Sequence, residues 1–400
     1  MRNVKQIYLL VMFSIFYLTI LLTTSCGVTG FYIKEGYEQH SNSVDESKVS
    51  KRILLIGDAG EPSLDQREPV LKYLEMIASR NPDSTSIIFL GDNIYPSGLP
   101  DKSNPNYSVY KNRLIEQVKV IQNSDATGIF IPGNHDWAKG KSNGYLNILR
   151  QENLIESFDD LKIEFLPDSG CPGPSVVDFS DDIRLIIIDS QWFFNDKLNK
   201  KSCRESEEQI LLAEIKESID SFNGKHLIIA AHHPLKSYGP HGGFFNWQAH
   251  LFPLTELSDY LWIPLPVIGS LYPLVRNLGV SDQDLSSAAY QNYIKKLESI
   301  IDDYSGVVVA SGHEHTLQIL EAPNENLYLV SGFGTSAHRN PVTKKESTIL
   351  AAHQPGFIGL DFLSNGQVIL DVYSVDDNQK LNKIFSYFAT NLVTFKKHSN

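Results

Sequence analysis

The chain has 400 residues, a net charge of −12, and 42% apolar and 20% charged residues. The length suits one large domain or two ordinary ones, and the apolar and charged fractions are those of a globular protein. The acidic balance, with no Lys/Arg cluster, argues against a nucleic-acid partner.

Taken in order, Arg2 and Lys5 precede an apolar run from Ile7 to Leu22, followed by Thr23-Thr24-Ser25-Cys26. A basic start, an apolar centre and small residues read as an export signal over residues 1–25. The cysteine directly after the small residues resembles a bacterial lipoprotein lipobox. That resemblance implies a mature chain beginning at a lipidated Cys26, anchored to a membrane of the bacterial cell envelope and facing the periplasm or the cell exterior. A transmembrane anchor and simple cleavage are the other readings of the run. Residues 26–50, rich in Ser, Glu and Lys, read as a tether. Two further cysteines, Cys171 and Cys203, either pair, as an exported protein allows, or stay apart, since sequence spacing does not set their distance.

From residue 51 to 400 the pattern is that of one domain. Short apolar runs at 53–56, 87–90, 129–131, 185–188, 227–231 and 307–310 read as strands. Helical periodicity fits residues 67–80, 107–122 and 204–221. Strand–helix alternation predicts a mainly parallel sheet, whose sites lie at the carboxyl ends of its strands. After residue 315 come runs at 316–321, 327–332, 356–363 and 367–375 with no helix between them, the last two joined by Asn365-Gly366, a hairpin signal. This half is expected to be antiparallel and to complete a second sheet. Residues 244–283 stand apart: an apolar stretch interrupted by prolines, which forbid a regular helix interior. It reads as an insertion that folds over the core or, alternatively, as an apolar patch contacting a membrane or a protein.

The strand ends carry polar cargo: Asp58, Asp92, Asn134-His135, His232-His233, and His313 with His315. Residues i and i+2 of an extended chain point the same way, so His313 and His315 leave the sheet together. Carboxylate, amide and imidazole together suit Fe, Zn or Mn rather than Ca. Six of them, Asp58, Asp92, Asn134, His232, His313 and His315, are too many for one tetrahedral ion. Two metals about 3.5–4 Å apart would use them, and such a pair activates water against a phosphoryl group.

Gly57-Asp58-Ala59-Gly60, Gly91-Asp92-Asn93-Ile94-Tyr95, Gly133-Asn134-His135-Asp136, Ala231-His232-His233-Pro234 and Gly312-His313-Glu314-His315 resemble the five ordered motifs of the calcineurin-like metallophosphoesterases. The resemblance implies an α/β fold, a four-layer α/β/β/α sandwich of two mixed sheets flanked by helices. Most of that superfamily has Asp-x-His in the first motif, where this chain has Asp58-Ala59-Gly60. Together with Tyr95, that departure is similar to the purple acid phosphatases, in which a tyrosine binds ferric iron. Carried over, the likeness implies that Asp58, Tyr95 and His315 bind Fe(III). It implies that Asn134, His232 and His313 bind a divalent Fe, Zn or Mn, and that Asp92 bridges. His135 and His241 would contact the phosphate or protonate the leaving group, and the nucleophile would be a metal-bound hydroxide. Asn93 and His233 are expected to support the site from outside it, Asp136 to fix its loop, Asp189 to be a structural strand end, and Glu314 to point away from the metals.

The implied activity is hydrolysis of phosphomonoesters at mildly acidic pH, acid phosphatase-like. The alternatives are a phosphodiesterase or pyrophosphatase acting on nucleotides or lipid headgroups, and a non-catalytic envelope binding module.

Overall fold

A computed structural model describes residues 27–37, 45–194, 207–256, 260–337 and 339–398, together with Gln6, Met12 and Cys203. Most of the expected signal segment, Cys26 and the start of the helix expected at 204 lie outside these residues. In chain order the regular elements begin with β1 (Phe31–Ile33), β2 (Val49–Ile56), α1 (Pro69–Ala78), β3 (Thr85–Phe89), α2 (Tyr107–Ser124), β4 (Thr127–Phe130), α3 (Gly144–Glu156) and β5 (Ile163–Phe165). Then follow β6 (Ser175–Ser180), β7 (Ile183–Ile187), α4 (Glu208–Asp220), β8 (His226–Ala230), α5 (Trp247–Leu251), α6 (Leu271–Asn277) and α7 (Ala288–Ile301). The chain closes with β9 (Tyr304–Ser305), β10 (Val308–Ser311), β11 (Leu317–Glu321), β12 (Leu327–Ser331), β13 (Thr348–Ala352), β14 (Gly356–Leu363), β15 (Val368–Val375), β16 (Leu381–Phe388) and β17 (Lys396–Lys397).

Two large mixed sheets stack face to face. One runs β16-β15-β14-β2-β3-β4-β5, with β2 to β5 parallel. The other runs β1-β13-β11-β12-β10-β8-β7-β6, parallel from β12 through β10 and β8 to β7. Strand β2 shows why the apolar runs are unbroken. Ile53 and Leu55 face the core between the sheets, while Leu54 and Ile56 face the helices α1 to α3. Alternation sends side chains to both faces, and both faces are covered. On the far side, Ile186 and Ile229 pack against α4 and α7 through Ile215, Tyr290 and Leu297. The result is the expected four-layer sandwich.

The strands after residue 315 complete the second sheet only in part. Strands β11 to β13 extend the sheet that contains β10, and β12 lies parallel to β10. Strands β14 to β16 cross to the other sheet, where Ile358 pairs with Leu55 antiparallel. An apolar run marks a strand but does not choose its partner. The Asn365-Gly366 hairpin is present, with Gly366 at φ +83°.

Residues 31–33, within the expected tether, form β1 and pair with β13. The insertion contains a helix despite its prolines, because Pro273 sits in the first turn of α6, where no backbone donor is required. Cys171 and Cys203 are joined in a disulfide, with Cα atoms 5.6 Å apart. Among the described residues no helix is long and apolar enough to cross a membrane.

Candidate metal centre

The ends of β2, β3, β4, β8 and β10 converge where the two sheets meet. Asp58, Asp92 and His313 each take a left-handed conformation, at φ +56°, +56° and +67°. This is uncommon outside glycine, though less so for Asp and His, and it turns each side chain sharply off its strand. The sheets are tied across the site by the His313 backbone N–H, which donates to Asp58 Oδ2 at 2.7 Å. Close approach explains two motif glycines. A Cβ at Gly133 would lie 2.4 Å from Asp92 Oδ1. A Cβ at Gly60 would lie 2.4 Å from the Asp92 carbonyl oxygen, so the backbone of residues 92–94 occupies the space beside the first motif.

The expected ligands fall into two triplets. In one, Tyr95 Oη donates to Asp58 Oδ1 at 2.8 Å, and His315 Nε2 lies 3.0 Å from Tyr95 Oη and 3.3 Å from Asp58 Oδ1. In the other, Asn134 Oδ1 lies 3.0 Å from His232 Nε2 and 3.2 Å from His313 Nδ1. Asp92 stands between them, its Oδ2 3.5 Å from His232 Nε2, and its Oδ1 accepts from the His135 N–H at 2.7 Å.

The imidazole tautomers test whether a cation fits. Carbonyl oxygens can only accept, so His232 Nδ1–H donates to Leu90 O at 2.8 Å and His313 Nε2–H donates to Gln283 O at 2.9 Å. The nitrogens turned toward the Asn134 oxygen are then bare in the neutral rings. Three lone pairs converge, which is unfavourable unless something positive sits among them. In the bare protein, burial lowers the pKa of His232, but Asp92, Asp58 and the Leu90 carbonyl raise it to about 9. A metal would take the place of that proton. Burial pushes His313 well below its ordinary value, which leaves it neutral and ready to ligate. Asp58, Asp92 and His232 can hold a metal ion, as can the group His232, His233 and His313.

His233 is nevertheless committed elsewhere. Ser190 Oγ accepts from the His233 N–H at 3.0 Å and donates to Nδ1 at 2.8 Å, and Nε2–H donates to Gln283 Oε1 at 2.9 Å. Asp136 accepts from the N–H groups of Gly133, Asn93 and Ile94, and so braces two motif loops. Asn93 turns its amide to Ile131 O and Asp136, not to the cleft. Asp189 accepts from Trp137 Nε1 at 2.7 Å, two residues beyond His135. Glu314 points away from the ligands as expected, with Oε2 accepting from the His241 N–H at 2.9 Å.

Above the centre lies a cleft of about 420 Å³ lined by Asp92, Asn134, His135, Lys139, His241 and Arg276, among others. His135 Nδ1–H donates to Pro96 O, and burial lowers its pKa to about 4 against the pull of Asp92. His241 stacks on His313 with ring centroids 4.1 Å apart, and its Nδ1 meets Asp284 Oδ1 at 2.9 Å. Arg276 Nε and Nη2 donate to the same carboxylate. Burial raises the Asp284 pKa, but Arg276 and His241 outweigh it and hold the group below its usual 3.8. Asp284, just past the insertion, belongs to no motif and was missed in the sequence. Only the proline-rich apolar composition beside it hinted that the segment mattered.

No curated protein matches the sequence. Several solved structures are similar, among them the three that follow. GAP50, the anchor in the inner membrane complex of Plasmodium, gives a TM-score of 0.52 at 14% identity, over 85% of this chain and 89% of that one. The purple acid phosphatase PPD1 from yellow lupin (Lupinus luteus) seeds gives 0.48 at 14%, over 84% and 53%. A dimetal phosphatase from Danio rerio gives 0.40 at 12%, over 84% and 99%. At such identities the likeness concerns the fold alone. The calcineurin-like phosphoesterase family model matches residues 51–317, more than half of the 400, so the chain belongs to the calcineurin-like phosphoesterase family.

Proposed function

We propose that the protein hydrolyses phosphomonoesters at mildly acidic pH, with a ferric and a divalent ion held by the two triplets and Asp92 shared between them. The observation that carries this reading is the pair of converging donor groups on either side of Asp92, one of them an arrangement of lone pairs that calls for a cation. When bound, such ions polarise the phosphoryl group and lower the pKa of a water.

The remaining work falls to side chains in the cleft. Asp58, Tyr95 and His315 would hold the ferric ion. Burial and the carboxylates of Asp58 and Asp92 push the Tyr95 phenol far above its ordinary value, so only a strongly acidic ion would take it as phenolate. Asn134, His232 and His313 would hold Fe, Zn or Mn. His241 is the proton donor to the leaving alkoxide, since it lines the cleft and the Asp284 carboxylate behind it holds its ring in place. His135, driven toward neutrality by burial, contacts the phosphate instead. A phosphodiesterase reading, on lipid headgroups, is favoured by the apolar insertion that supplies Arg276, Ser281 and Gln283 to the cleft region.

The paired Cys171 and Cys203 suit a compartment outside the cytoplasm, and with the Cys26 motif they support a lipid-anchored protein of a bacterial cell envelope. Cys26→Ser is then expected to release the chain from membranes. If the variant stays membrane-bound and uncleaved, a transmembrane anchor replaces the lipid.

The test of function is turnover of a chromogenic phosphomonoester by the full chain in detergent, supplied with iron and zinc, beside Asn134→Ala. Turnover lost in the variant is the expected result. No turnover of monoester, with two metals bound, moves the function to a diester or to a binding module.

A further inference from the structure

The helix α6 is built inside out. Leu271, Leu274, Val275 and Leu278 fall at i, i+3, i+4 and i+7, the spacing of one helical stripe. In a surface helix that stripe faces the core. Here Leu274 is 51% exposed and Leu278 70% exposed. The inward side carries the polar groups instead. Arg276 reaches back to Asp284, and its guanidinium and the Tyr272 ring both lie against Phe245. The turn before the helix adds Ile263, Val267 and Ile268, all exposed. From Tyr260 to Val280 the sequence holds a single charge, Arg276, and that one is turned inward.

We infer that this face docks on a lipid bilayer, with the stripe and Trp262 lying in the headgroup–acyl boundary. Three observations select a bilayer as the occupant. The first is where the chain enters the fold. The apolar run Ile7 to Leu22 lies upstream of Gly27, and a Cβ at Gly27 would lie 3.4 Å from the Phe244 ring, at the start of the insertion. The neighbouring Gly243 lies against Asn277, the last residue of α6. The membrane-directed part of the sequence therefore reaches the domain beside the exposed stripe. The second is the lack of charge. A protein interface is rimmed by polar groups that form hydrogen bonds, whereas a bilayer interior asks for none. The third is Trp262 and Tyr260, 56% and 93% exposed, residue types that favour the membrane boundary. An amphipathic element of this kind sinks about 5–10 Å into the headgroup region.

The inference rests on the membrane tether proposed above and is independent of the phosphoesterase reading. It is tested with the full chain carrying Trp247→Phe. That change leaves Trp262 as the exposed tryptophan, since Trp137 and Trp192 are buried. The protein is reconstituted into vesicles of phosphatidylethanolamine and phosphatidylglycerol with brominated acyl chains. Flotation with the vesicles, and loss of about half of the Trp262 emission relative to unbrominated lipid, is the expected result. Leu274→Asp with Leu278→Asp should still float and should restore the emission. Flotation with unquenched Trp262 overturns the docking and spares the tether; absence of flotation overturns both. Unquenched emission that shifts to the blue as protein concentration rises overturns the docking in favour of a second copy of the chain.

Discussion

The strand ends and the insertion use the same residue classes in opposite ways. At the strand ends polar groups are buried, and the chain spends backbone strain and close glycine contacts to keep them so. In the insertion apolar groups are exposed, while Arg276, the one charged residue between Tyr260 and Val280, is turned inward. The difference teaches that position relative to a covering layer, not composition, decides what a side chain is for. The first region concentrates charge where water is excluded. The second leaves greasy surface where something other than water is expected.

The largest way to break this contrast is at Asp92. Asp92→Asn removes a group shared by both triplets, and turnover should fall by more than the roughly 100-fold that losing an outer partner of a metal ligand costs. Near-normal kcat with two metals bound would end the two-ion reading. Gly60→Ala tests the strained side differently. The added methyl meets the Asp92 backbone, so about 1–3 kcal/mol of stability should be lost, with turnover, in a urea titration beside an activity assay.

Asp284→Asn sharpens the comparison where the regions meet. It removes the carboxylate behind His241, and kcat should drop about 10–100-fold with little change in KM. Because Asp284 titrates below its usual value in the fold, its ion pair contributes stability that is present above that value and is lost only as pH falls through the lowered one. The pair is therefore intact in mild acid. Tyr95→Phe should abolish any visible phenolate-to-iron absorption while thermal melting is retained; a surviving band would remove iron from the site. The smallest effect should come from the insertion. Leu274→Ser should change stability by less than about 0.5 kcal/mol, whereas Leu74→Ala, in the buried face of α1, should lose about 2–5 kcal/mol.

Much of the candidate site was legible because most of its side chains follow an apolar run, and most sit in a short motif with glycine. The run predicts a strand, and the glycine marks where backbones crowd. Helix α2 was legible for a related reason, since eighteen residues give periodicity room to speak. Strand β1 has three residues, too few for any period, and so it was read as tether. The partners of β11 to β16 were hidden because alternation is the same in either sheet. In α6 the stripe itself can be read from sequence, but its direction cannot, because a stripe turned outward has the same spacing as one turned inward. Asp284 lacked any local signature. Its role comes from Arg276 and His241, eight and forty-three residues away in sequence.

Helix α6 joins two surfaces through one side chain. Its outer face carries the leucine stripe, and from its inner face Arg276 grips the carboxylate that orients His241. The helix is seven residues long, so the two faces lie close together along the chain. On the proposed docking, lateral pressure on the stripe would bear on the proposed proton donor, and the lipid itself would become an effector. Such an enzyme would count its substrate per unit area rather than per unit volume, and its rate would change with the tension of the layer beneath it.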